Sequence, residues 1–215
     1  PQTQELPEER MFQAHGLVWL DGKHRLVRKL KESFTPSVHG HKTWGSSYLV
    51  MDYLLHNPVR KGSTVMDLGC GWAPGGIFCA AHFGASVTGV DVDPEVFPFA
   101  EVLAALNDVE LEFDRRDYEK LPGKVLGRHE LVIGSDICFW DELVDPLAGL
   151  VRKALKGGTR RIVIADPGRS PFHRLAEKVA DLGRVRLMDW YTEEPERVDG
   201  EILEKPRDVA EARAM

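Results

Sequence analysis

Apolar residues along this chain come in short runs separated by amphipathic stretches, and the alternation is regular. Val65, Met66 and Leu68 form one such run, read as a strand enclosed on both faces. Pro74 then suits the first turn of a helix, and Ile77, Phe78, Ala80 and Ala81 carry an apolar face onward from it. Strand and helix patterns follow at 86–92 with 95–106, at 131–135 with 143–155 and at 159–165 with 172–182, and 109–113 reads as a further strand. Strands at 184–190 and 201–205 would pair as a hairpin across the polar loop 191–200. Ahead of the first run, 42–55 reads as a helix led by Trp44 and stopped by Asn57-Pro58. Residues 23–31 place Leu26, Val27 and Leu30 on one helical side and basic residues on the other. This is an α/β pattern, and the right-handed crossover rule makes its sheet largely parallel.

Composition narrows the picture. A length of 215 residues fits one α/β domain with a sizeable core, and no internal repeat or interdomain linker breaks it. No apolar run is long enough to cross a bilayer and no signal-peptide pattern is seen, so the chain is expected to be cytoplasmic. Cys70, Cys79 and Cys138 lack Cys-x-x-Cys spacing, which predicts reduced structural thiols and no metal site. His39-Gly40-His41, with no carboxylate or cysteine close by, reads as a loop. A net charge of −6 exerts no general pull toward nucleic acid. The polar residues 1–10 and the end from 208 are expected to be loose.

The candidate chemistry centres on Asp67-Leu68-Gly69-Cys70-Gly71, where a buried strand meets a glycine turn and a helix start. Gly69 and Gly71 lack the Cβ atoms that would hold a ligand away from backbone. A dinucleotide fingerprint would need a glycine where Pro74 stands, and proline offers no amide. Asp67 would repel a pyrophosphate, so a cationic ligand fits better. Asp91 closes the next strand about twenty residues on, where a carboxylate accepts from both ribose hydroxyls. Asp93 reads as a helix cap. Strand 131–135 ends in Ser135 and leads to Asp136-Ile137-Cys138-Phe139-Trp140, so Asp136 faces the reaction edge or caps the next helix.

The glycine turn resembles motif I of the class I S-adenosylmethionine methyltransferases, with Ala73 where that family often has a third glycine. The resemblance implies a doubly wound, Rossmann-like sheet of seven strands, mostly parallel, the C-terminal hairpin supplying the antiparallel member. It implies S-adenosylmethionine held by Trp44, Asp67, Gly69, Gly71, Asp91, Asp117, Tyr118 and Ser135. In this family an acid in the Asp117 loop accepts from the adenine amine and its neighbour packs on the ring; a surface Arg–Asp pair is the other reading of Asp117. Asp136-x-x-Phe139 resembles the acid-x-x-aromatic motif of the seven-strand protein lysine methyltransferases, making Asp136 and Phe139 the catalytic candidates. Asp166-Pro167-Gly168-Arg169, otherwise a plain turn, resembles a segment of those acting on the electron-transfer flavoprotein β subunit. The likeness spans 43–169. It implies a methyltransferase domain at 44–207, preceded by an extension with a basic helix at 1–43 and followed by a tail at 208–215. A protein acceptor follows, with the flavoprotein β subunit first; small metabolites or nucleic-acid bases, and a non-catalytic cofactor-binding module, are the alternatives.

Overall fold

The computed structural model describes residues 10–37 and 39–206; of the loose segments expected at 1–10 and from 208, all but Arg10 lie outside them. The described chain opens with a hairpin absent from the sequence reading, β1 (Met11–Ala14) and β2 (Leu17–Leu20). His15 and Gly16 form its two-residue turn, both at positive φ (51° and 71°), as a tight hairpin turn requires. Trp19 buries beneath it and donates its indole N–H to the Ala14 carbonyl at 3.1 Å. The edge strand is sealed by Asn107, whose side chain accepts from the Val18 N–H and donates to the Val18 carbonyl at 2.8 and 2.9 Å.

The basic helix α1 (Arg25–Ser33) follows, burying only Val27, and then α2 (Gly45–His56) with Trp44 at its N-cap. β3 (Thr64–Leu68), α3 (Pro74–Phe83) and β4 (Ser86–Asp91) form the first crossover. The helix expected over 95–106 splits into a 3-10 turn, Pro94–Val96, and α4 (Phe97–Leu106). Pro98 has no N–H to give the Pro94 carbonyl, so Phe97 closes a tighter turn on that carbonyl. β5 (Glu112–Arg115) starts three residues later than expected, because the Val109 N–H still bonds the Ala104 carbonyl and pairing with β4 begins at Glu112.

A short helix, α5 (Gly123–Leu126), precedes β6 (Leu131–Ser135); α6 (Val144–Gly157), β7 (Arg161–Asp166) and α7 (Ser170–Val179) complete the alternation. The final hairpin is β8 (Arg186–Thr192) and β9 (Val198–Lys205), with a loop shorter than expected because Tyr191 and Thr192 still pair with Asp199 and Val198. The polar run Glu193–Arg197 beside the exposed Tyr191 and Asp199 disguised these positions as loop.

The seven-stranded sheet runs β5-β4-β3-β6-β7-β9-β8, and β9 is its antiparallel member. On one face α2 and α3 press Leu49, Val50, Met51 and Ile77 onto Ile133 and Val163, and the N-terminal hairpin joins the same core through Leu17 and Trp19. On the other, α6 and α7 press Leu147, Leu150, Phe172 and Leu175 onto Met66, Leu68 and Val132. The order switches direction at β3, so the turns after β3 and β6 diverge and leave a crevice at their carboxyl ends. Among the described residues no helix is long and apolar enough to cross a membrane. Cys70, Cys79 and Cys138 are buried free thiols.

Candidate functional site

That crevice holds a cavity of about 410 Å³, and Trp44, Asp67, Gly69, Gly71, Asp91, Asp117, Tyr118, Ser135, Asp136 and Phe139 all border it. Residues far apart in sequence therefore meet around one space of a size that takes a small ligand.

The turn after β3 is built by backbone conformation. Gly69 has φ +57°, and a Cβ there would lie 2.8 Å from the Ile137 side chain. Gly71, at φ +53°, has open space beside it. Ala73 adopts the left-handed conformation as well (φ 53°), at a cost of about 1–2 kcal/mol, and its N–H donates to the Cys70 carbonyl at 2.7 Å. The position thus keeps the geometry that a glycine would take without strain.

Asp67 is 3% exposed, and its Oδ2 accepts the Gly76 N–H at 2.9 Å in the first turn of α3. Burial pushes its carboxyl up to about 8; the Gly76 amide works against this and the charge of Asp91 adds to it. Asp91 accepts from the Gly71 and Asp93 amides, each at 3.0 Å, and burial raises its carboxyl also, the two amides opposing. Two partly desolvated carboxylates facing one cavity form a donor set suited to a cation with hydroxyl groups. S-adenosylmethionine, which carries a sulfonium, an ammonium and a ribose diol, fits these residues. Asp93 caps the turn after it, accepting from Glu95, and also receives the Ser37 hydroxyl at 2.8 Å.

Asp117 caps the turn after β5, accepting from the Glu119 N–H at 3.0 Å, and pairs with Lys120 at 3.2 Å; Arg116 pairs instead with Asp114. The Tyr118 ring lies 3.7 Å from where a Gly69 Cβ would stand, and burial raises its phenol.

Asp136 sits at φ 58°, a left-handed conformation that aspartate tolerates better than most residues, and its N–H donates to the Ala165 carbonyl at 3.0 Å. Its carboxylate is ion-paired with Arg169, which also binds Asp166 at 2.9 Å. Asp166 is fully buried and accepts the Gly168 and Arg169 amides at 3.0 and 2.8 Å. Burial raises its carboxyl, with Arg169 and its amide opposing and Asp136 reinforcing. The Asp166-Pro167-Gly168-Arg169 turn therefore brings a guanidinium against Asp136, which lines the cavity, a contact no sequence spacing signals.

The segment before Trp44 folds across the cavity edge. The Trp44 indole donates to the His39 carbonyl at 2.7 Å and the Trp72 indole to the Gly40 carbonyl at 2.9 Å. The His39 ring meets Phe139 edge-on at 4.8 Å, and Phe139 meets Trp140 at 4.7 Å. Trp140 is 53% exposed and Val92 65%, both on the rim. His39 and Trp72 border the cavity and Arg169 stands behind Asp136; the sequence reading put His39 in a loop, Trp72 in the glycine turn and Arg169 in the Asp-Pro-Gly-Arg turn without making any of them a site residue.

A family model described as a methyltransferase domain matches residues 65–158. An electron transfer flavoprotein beta subunit lysine methyltransferase from Xenopus laevis is 28% identical over 155 residues, 70% of this chain and 62% of that protein. A ubiquinone biosynthesis O-methyltransferase from Xanthomonas campestris is 28% identical over 100 residues, 46% of this chain and 40% of its own. The chain thus spans about three fifths or less of these relatives' length. Among solved structures, a precorrin 8W decarboxylase from Methanobacterium thermoautotrophicum superposes with a TM-score of 0.58 at 15% identity, covering 76% of this chain and 92% of that one, a likeness of fold. Domain match, relatives and sheet topology agree: the chain is similar to the class I methyltransferases.

Proposed function

We propose that this protein transfers a methyl group from S-adenosylmethionine to a lysine side chain of a protein, the electron-transfer flavoprotein β subunit being the first candidate. The observation that carries the reading is the gathering of Asp67, Asp91, Asp136 and the aromatic rings of Trp44, Phe139 and Trp140 around one cavity. The named activity of the Xenopus relative, over 70% of this chain, supports the protein acceptor.

S-adenosylmethionine supplies a methyl already activated by its positive sulfur. The chain's part is then positioning. Asp91 accepts from the ribose hydroxyls, Asp67 with Gly69 and Gly71 receives the methionine end, Asp117 and Tyr118 border the adenine, and Ser135 lines the same wall. A lysine amine has an ordinary pKa of about 10.4 and must lose its proton before it can attack. Asp136 orients the amine. Arg169 offsets part of the Asp136 charge, so the wall does not hold the amine as an ammonium, and Phe139, Trp140 and Trp44 dry the approach.

A small-molecule acceptor is the second reading, favoured by the way residues 39–44 lie over the cavity edge through Trp44 and Trp72. Incubation with tritiated S-adenosylmethionine, the native flavoprotein β subunit and a native cell extract tests both. Methyl-unit mass additions placed on lysine by tandem mass spectrometry are expected; label confined to small molecules or RNA would overturn the protein acceptor.

A further inference from the structure

A second cavity, of about 730 Å³, opens at the opposite end of α2 from Trp44. The twelve residues of that helix put about 18 Å between the two ends. Four parts of the chain build it: the β1–β2 turn, the ends of α2 and α3, and the strand end and loop at 189–194. The Glu194 carboxylate accepts the His15 N–H at 2.6 Å and Asp52 accepts the Trp190 indole N–H at 2.9 Å, so the walls are tied together.

The charged side chains this cavity presents are all carboxylates, and the Trp190 indole N–H is already taken by one of them. Asp52, Asp189, Glu193 and Glu194 line it, and among its described lining residues there is no lysine or arginine. Arg197 reaches Glu193 only at 3.9 Å and is held by Asp199 at 2.7 Å. His56 and His82 stand in the last turns of α2 and α3, whose carboxyl ends add partial negative charge. Each gives a ring N–H to a backbone carbonyl, His56 to Asp52 at 2.9 Å and His82 to His15 at 2.8 Å, which leaves its second nitrogen as an acceptor when the ring is neutral.

His15 makes the case specific. It is 4% exposed, its ring bonds the Glu194 backbone, and its Nε2 has no hydrogen-bond partner. Burial lowers its pKa, so this nitrogen is an unsatisfied acceptor, closed to solvent just beneath the cavity wall with the ring beside Tyr48 and Phe78. A buried acceptor beside carboxylates and two helix carboxyl ends calls for a ligand that is both cationic and rich in N–H donors.

We propose that this cavity binds a primary alkylammonium group, its chain lying against Trp190 and Leu55 and its NH₃⁺ among His15, Glu194 and Asp52. The group can belong to a free diamine or to an extended lysine side chain. The inference does not depend on the identity of the methyl acceptor.

Calorimetric titration of the whole protein with 1,4-diaminobutane and, separately, with Nα-acetyl-lysine amide tests it. Saturable binding is expected for at least one amine and not for 1,4-butanediol; which amine binds tells a free diamine from a side chain. The exposed pair of changes Asp189→Asn and Glu193→Gln should weaken binding about tenfold with the melting temperature kept. His15→Asn, which suits the left-handed turn, should weaken it too. Saturating S-adenosylmethionine should leave it unchanged. No saturation by about 10 mM of either amine, equal affinity in the variants, or displacement by S-adenosylmethionine would each overturn the proposal.

Discussion

Replacing Arg169 with methionine isolates the charge arrangement behind Asp136. Arg169 is one cation against two carboxylates, one fully buried in Asp166 and one nearly so in Asp136. Methionine keeps most of the side-chain volume but removes the guanidinium. Asp166 keeps its two amide donors, yet its second oxygen then faces Asp136 with no cation between them. Breaking a buried pair by removing one partner costs about 3–5 kcal/mol, and the partial exposure of Arg169 trims this to roughly 2–4 kcal/mol at neutral pH. For a chain of this length that is a fall in melting temperature of about 5–15 °C.

The pH dependence discriminates the cause. Burial already raises the Asp166 carboxyl in the parent, and losing Arg169 raises it further. A raised carboxyl favours folding in its protonated form, fully so below the unfolded value of about 3.9, and that favour is lost as pH climbs through the folded value. The penalty of Arg169→Met should therefore be small near pH 5 and complete near pH 8. Urea denaturation at the two pH values measures it, with Asp166→Asn in the same chain recovering most of the loss. An equal penalty at both pH values would show that Arg169 acts through packing, and the charge argument would fail.

Asp67→Asn should stabilise the ligand-free protein at pH 8, because its carboxyl, held near 8, ionises at a cost in the fold between about pH 4 and 8, while an amide oxygen still accepts the Gly76 N–H; denaturation at pH 6 and 8 reads the difference, and the same variant should bind S-adenosylmethionine more weakly. Asp91→Ala removes two charge-assisted bonds of roughly 1.5–3 kcal/mol each and frees the Gly71 amide, so calorimetry should find cofactor affinity down at least about a hundredfold with the fold intact. Asp136→Asn keeps the left-handed turn, so cofactor affinity should hold while methyl transfer slows strongly; an unchanged rate would reduce Asp136 to a structural residue.

Much of this site was legible because its chemistry is local. The strand, glycine turn and helix from 64 to 83, and the acid that closes β4, are set by short-range periodicity and by spacing along the chain. What escaped depends on distance in sequence. Arg169 meets Asp136 across 33 positions, and only the pairing of β6 with β7 brings their loops together. The hairpin at 11–20 was missed because His15-Gly16 is not a strong turn pair, and its stability comes from Trp19 and from Asn107 on a distant helix. Pro98 at the head of α4 marked the split of that helix and could have been read.

The place of β9 has a consequence for how the chain is made. Residues Val198–Lys205 lie between β7 and β8, so the last strand among the described residues is an inner one. Until those residues have left the ribosome, β8 has no neighbour and β7 offers an open edge of Val163, Ile164 and Ala165. A nascent chain must carry that edge unpaired until β9 is made, an exposed edge of the kind that pairs with other chains. Shortening the protein from its carboxyl side into β9 should thus expose an adhesive edge even though no residue lining the candidate site's cavity is removed.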